Sequence, residues 1–151
     1  MMDLTKKVAL ITGGTHGIGA MTAIELARQG ADICLVARNQ DNPGLVREIE
    51  EQGVKCLAIT ADLMKPEECE RVVNEAIAGL GDIDILVHCA GGAAPGGLLN
   101  GAQDVWYSAF DIHIHAAFHL CRSAVPSMKR KDGGAIVFIS SAAGLRGVKG
   151  A

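Results

Sequence analysis

Short, nearly continuous runs of Val, Ile, Leu and Ala alternate along the chain with longer segments in which apolar residues recur every three or four positions. The runs are Lys7–Thr12, Asp32–Ala37, Val54–Thr60, Asp82–His88 and Ala135–Ser140. None shows the in–out alternation of a half-exposed strand, so each reads as a parallel strand covered by helices on both faces. Ile18, Met21, Ile24 and Ala27 mark a first helix, stopped by Gly30, and Leu45, Val46 and Ile49 a second, closed by Gly53. Pro66 opens a third, with Glu67 and Glu68 at its positive dipole end and Val72, Val73, Ala76 and Ile77 on its buried side. The fourth, from about Gln103 to Lys129, is the longest. Its apolar stripe is Trp106, Phe110, His113, Ala117, Cys121, Ala124 and Met128, and Pro126 should bend it near its end. Only Gly91–Gly101 reads as a long loop. The alternation predicts an α/β fold, a doubly wound parallel sheet truncated to about five strands, with residues 1–151 as one domain.

Composition sharpens this. With 49% hydrophobic but only 3% aromatic residues, the core must be aliphatic, which favours strands under helices over an aromatic-rich sandwich. A net charge of −3 gives no electrostatic reason to expect nucleic acid as a partner. The basic run Lys129, Arg130 and Lys131 falls at a helix end, where solvated cations suit the negative dipole. No two of the five cysteines have C-x-x-C spacing, and they read as reduced, buried thiols. Met1–Lys7 lacks the apolar stretch of a signal peptide and no run reaches membrane-spanning length, so a soluble cytoplasmic protein is expected.

The chemistry begins where the first run ends. Thr12-Gly13-Gly14-Thr15-His16-Gly17-Ile18-Gly19 joins a strand to a helix. Glycines there allow a sharp turn and close backbone approach, and the helix N-terminus that follows presents free N–H groups to an anion, here a pyrophosphate. No Gly-Lys-Ser/Thr follows, which removes a triphosphate loop from consideration. At the end of the second run stand Ala37, Arg38 and Asn39. A dinucleotide-binding fold that prefers NAD normally places an acid there for the ribose 2′-hydroxyl. A guanidinium instead suits the 2′-phosphate of NADP, with His16 able to assist when protonated. The alternative is that Arg38 is solvated surface.

The motif T-G-x-x-x-G-I-G resembles the cofactor signature of the short-chain dehydrogenase/reductase family, and later segments follow the family's order. Asp62-Leu63 resembles its adenine-contacting pair, and His88-Cys89-Ala90-Gly91 its Asn-Asn-Ala-Gly. Trp106 and the helix behind it resemble the family's fourth helix, and Ile139 to Gly144 its active-site serine strand. The nearest flavour is the ketoacyl carrier-protein reductase type. The resemblance implies a hydride transfer between NADP(H), with NAD the lesser choice, and a small carbonyl or alcohol substrate. It also implies a homo-oligomer in the full-length protein. It assigns cofactor contacts to Gly13, Thr15, His16, Gly17, Ile18, Gly19, Arg38, Asp62, Leu63, Cys89, Ala90 and Gly91. Ser141, ahead of Ser140, takes the place of the catalytic serine.

Departures from the family pattern matter as much. Where an asparagine supports a proton-relay water, this chain has His113. Its position on the apolar stripe predicts that it faces the site or the core, as a functional group or as a satisfied core histidine. Cys89 also replaces an asparagine. The family's Tyr-x-x-x-Lys is absent: its tyrosine belongs thirteen residues after Ser141, three past Ala151. Residues 1–151 alone are therefore expected to be inactive. His115 and His119 have zinc-ligand spacing, but no third ligand or helical glutamate accompanies them, and no metal is expected. The alternatives to an oxidoreductase are a module that holds a dinucleotide without turnover and an interaction protein.

Overall fold

In the computed structural model, which describes residues 3–93 and 95–147, the aliphatic runs pair into one sheet. It has five strands, all parallel, in the order β3-β2-β1-β4-β5. They are β1 (Val8–Thr12), β2 (Asp32–Ala37), β3 (Cys56–Thr60), β4 (Ile85–His88) and β5 (Ala135–Phe138). The helices are α1 (Gly17–Arg28), α2 (Pro43–Glu50), α3 (Pro66–Leu80), α4 (Gly97–Asn100), α5 (Gln103–Phe110) and α6 (Ala116–Arg130). Because successive side chains in a strand point to opposite faces, β1 feeds two cores. Ala9 and Ile11 pack with Ala23, Ile24 and Ala27 of α1 and Leu45 and Ile49 of α2. Leu10 packs on the other side with Val72 and Val73 of α3 and Leu120 and Ala124 of α6. The expected doubly wound α/β architecture is present.

The strand order puts a seam where a site can form. From β1 the chain adds β2 and β3 on one side, then returns to lay β4 on the other, with Thr12 opposite His88. The chain leaving β1 leads to α1 on one face and that leaving β4 leads on to α6 on the other, the arrangement in which a crevice forms at the carboxyl ends of the strands.

Three expectations need correction. Asp82, Ile83 and Asp84 precede β4 rather than belonging to it, because Asp84 is spent as an anchor: it accepts from the Val8 N–H at 2.9 Å and from Lys7 and Lys131. Lys131 and Arg130, which pairs with Asp82, are thus ion-pair partners that lock the helix end to the sheet rather than simply solvated cations. The long fourth helix is interrupted by a π turn at Asp111–His115, where the Ala116 N–H reaches back five residues to the Asp111 carbonyl. Each residue turns an α-helix by about 100°, so a widened turn rotates everything before it against everything after it. The buried side of α6 is Ala116, Leu120, Ala124, Ser127 and Met128, while Trp106 and Phe110 are 55% and 42% exposed and pack on each other. His113 is likewise exposed, not on a buried stripe.

Candidate functional site

Thr12 ends β1 fully buried, and the backbone turns at once through Gly13 with φ +62°. A Cβ on Gly13 would stand 2.8 Å from the Ala90 nitrogen, so the glycine loop and the chain leaving β4 touch backbone to backbone. Gly17, with φ +54°, opens α1 in the left-handed region that side chains avoid. At Gly19 a Cβ would overlap the Gly13 carbonyl oxygen, so the first turn of α1 presses directly onto the loop. His16 precedes that turn in extended conformation without capping it through its side chain, and the turn carries no acidic residue. The result is a tight backbone turn at a positive helix end, in which glycines let the loop, the first turn of α1 and the chain leaving β4 close on one another. A pyrophosphate fits that donor set.

Beside this turn lies a cleft of about 690 Å³, within the size range of cofactor sites. Gly13, Thr15, His16, Arg38, Asp62, Leu63, Cys89, Ala90 and Gly91 all line it. Sequence positions spread over most of the chain thus converge at the β1–β4 seam. Gly17, Ile18 and Gly19, in α1, are not part of the lining: Gly17 and the exposed Ile18 border a separate shallow patch with Met21 and Glu25, and Gly19 is buried. Arg38 is exposed at the end of β2. The acid in the same wall, Asp41, is 3.6 Å from His16 Nδ1, and Asn42 donates to the Thr15 carbonyl at 3.0 Å, tying the β2–α2 loop to the glycine loop. Asp62 is half-buried and accepts from the Met64 N–H at 3.3 Å, while Leu63 is buried. Burial pushes the half-buried Cys89 thiol upward, away from thiolate.

The opposite wall comes from α5 and the π turn through Val105, Ser108, Ala109 and Ile112. His88 joins this wall to the seam. It is 4% exposed, its Nε2 lies 2.9 Å from the Ile112 carbonyl oxygen, and its Nδ1 lies 2.7 Å from Thr12 Oγ1. Thr12 Oγ1 also accepts from the Ala90 N–H at 3.2 Å. Burial, together with the nearby His113, holds the His88 pKa below its ordinary value despite the Ile112 carbonyl. Neither His88 nor Asn42 figured among the expected site residues. For His88 the signal was an aromatic base in the family's asparagine position. Asn42, an ordinary loop residue, gave none.

The two residues expected to be catalytic sit outside the lining. His113 lays its ring against Gly91, where any Cβ would collide with it, and its Nε2 is 3.0 Å from the Gly92 carbonyl oxygen. Ser141 lies exposed beyond β5, its Oγ accepting from the Ala143 N–H at 3.1 Å as the cap of a short 3₁₀ turn, Ala142–Gly144. His115 bonds to Asp111 at 2.9 Å rather than joining His119. Among the described residues no helix is long and apolar enough to cross a membrane.

The family model for short chain dehydrogenases matches residues 7–151. The 3-oxoacyl-[acyl-carrier-protein] reductase of Staphylococcus epidermidis is 31% identical, over 95% of this chain and 60% of its own length. L-sorbose reductase from Gluconobacter frateurii, solved with NADPH and L-sorbose, is 34% identical with a TM-score of 0.93, over 98% of this chain and 57% of that one. NAD+-bound xylitol dehydrogenase is 27% identical with a TM-score of 0.89, over 97% of this chain and 57% of that one. The chain spans about half the length of the curated relatives it matches.

Proposed function

The chain belongs to the short-chain dehydrogenase family, and from that premise we propose that residues 1–151 form the dinucleotide-binding domain of an NADP(H)-dependent oxidoreductase. Its substrate is a small carbonyl compound or the matching alcohol. The observation that carries this reading is the close-packed glycine turn of Gly13, Gly17 and Gly19 at the start of α1, set beside the β1–β4 cleft that Gly13, Thr15 and His16 line. When bound, the nicotinamide supplies or accepts the hydride. The chain's own residues do the holding. The loop and α1 take the pyrophosphate, Asp62 and Leu63 the adenine, and Arg38 the ribose phosphate. Cys89, Ala90 and Gly91 form the floor near the seam. Ser141 orients the substrate oxygen, and His113 stands in for the family's relay asparagine. Residues 1–151 contain no Tyr-x-x-x-Lys, so a protein of these residues alone is expected to bind cofactor without turnover. The full-length enzyme is expected to be cytoplasmic and homo-oligomeric.

The choice of NADP rests on Arg38, exposed in the cleft wall immediately after β2. Relatives complexed with either cofactor share the fold, so the test must be direct. NADPH and NADH dissociation constants are measured for wild type and Arg38→Ala. Losing a charge-assisted pair costs about 1.5–3 kcal/mol, so the NADPH preference should fall by roughly one to two decades. An unchanged ratio assigns Arg38 to the surface and moves cofactor choice elsewhere.

A further inference from the structure

Among the described residues His88 is the one buried imidazole, the proposed chemistry leaves it unused, and its surroundings admit a single arrangement of protons for the neutral ring. The Ile112 carbonyl can only accept, so Nε2 carries the hydrogen of that contact. In the neutral ring Nδ1 then holds a lone pair, and the Thr12 hydroxyl must donate to it. With its hydrogen committed, Thr12 Oγ1 offers lone pairs to the Ala90 N–H. Every donor meets an acceptor, and the chain of bonds runs from the loop leaving β4, through the end of β1, to the π turn. Phe138 of β5 closes the ring's flank edge-on, with centroids 6.4 Å apart.

The three segments so joined each line the cleft: Gly13 after Thr12, Cys89 to Gly91 after His88, and Ile112 with Ser108 and Ala109 opposite, while the ends of β2 and β3 complete it outside this link. The π turn makes the join possible. The Ala116 N–H passes over the Ile112 carbonyl to reach Asp111, and the Ile112 oxygen accepts from the imidazole. We propose that His88 is a positioning residue for the dinucleotide. As the neutral Nε2–H tautomer it ties the π turn to the end of β1 and sets the separation between the glycine turn and the α5 wall. This rests on the cleft being the cofactor site. A protonated ring would instead donate from Nδ1 to the second lone pair of Thr12 Oγ1 and turn the Thr12 hydroxyl hydrogen away from the ring, so that this hydrogen no longer belongs to the link. The lowered His88 pKa agrees with a ring that stays neutral.

Two substitutions separate the halves of the link. In His88→Gln the terminal amide falls near the position of Nε2 and can still donate to Ile112. In His88→Asn, the family's residue, the shorter side chain serves Thr12 but does not reach Ile112. NADPH is titrated into the wild-type chain and both variants, with melting temperatures measured in parallel, and the wild-type imidazole nitrogens are read by NMR at neutral pH. The expected pattern is a dissociation constant raised roughly tenfold in His88→Asn and nearly restored in His88→Gln, the weight of one good hydrogen bond. The expected tautomer is Nε2–H. An Nδ1–H tautomer overturns the proposal whatever the variants do. So does tight binding by His88→Asn, or equal weakening in both variants in step with lost thermal stability. A wild-type chain that binds neither NADPH nor NADH sinks the cofactor reading itself, which the tautomer measurement keeps distinct.

Discussion

Asp84 stands at the amino end of the sheet, remote from the cleft, and does the work there that a hydrophobic contact cannot. Burial pushes its carboxyl upward, but Lys131, the Val8 N–H and Lys7 outweigh that and hold it below the ordinary carboxylate value. A depressed folded pKa means the unfolded chain takes up the proton first. The stability that Asp84 confers is therefore complete above the ordinary value of 3.8 and drains away as pH falls through the folded pKa. Asp84→Asn keeps an acceptor for Val8 but loses the charge facing two lysines. It should cost about 1.5–3 kcal/mol near neutral pH, read from urea unfolding, and the gap to wild type should narrow on acidification below pH ~4. A gap independent of pH would assign Asp84 a packing role only. From sequence this acid read as part of a strand running from Asp82, since nothing local reveals that Lys7 and Lys131 converge on it.

At the scale of elements, strand positions were legible because a buried parallel strand is written as a block of aliphatic residues, and β2 has the bounds its apolar run predicts. Helix faces were less so. A π turn adds one residue without changing composition, and counting in threes and fours carries the stripe straight through it. That error placed Trp106, Phe110 and His113 on a buried face. The true anchor of α6 is polar: the buried Ser127 hydroxyl donates to Asp82 at 3.0 Å and accepts from the Ile83 N–H at 2.8 Å, pinning the helix to the turn before β4. Ser127→Ala strands that N–H without a partner. Thermal or denaturant unfolding should show a loss of about 1–3 kcal/mol, against a smaller effect for Ser123→Ala, a half-buried serine of the same helix. Equal small effects at both positions would mean that water replaces the hydroxyl.

For the molecule as a whole, sequence order carried the topology: alternating strands and helices, with a glycine turn after the first strand, leave few ways to build a parallel sheet. The cleft was legible because its lining is concentrated at the carboxyl ends of β1 to β4, where short motifs stand out. His88 was harder to foresee, since its meaning depends on a carbonyl released by a turn far along the chain. The central claim is that the glycine turn holds a dinucleotide, and titration of NADPH into the wild-type chain and Gly19→Val tests it most directly. With a side chain forced against the Gly13 carbonyl, the variant should remain folded by circular dichroism and lose at least about tenfold in affinity, while wild type binds saturably. A folded Gly19→Val chain that binds NADPH as tightly as wild type would contradict the account.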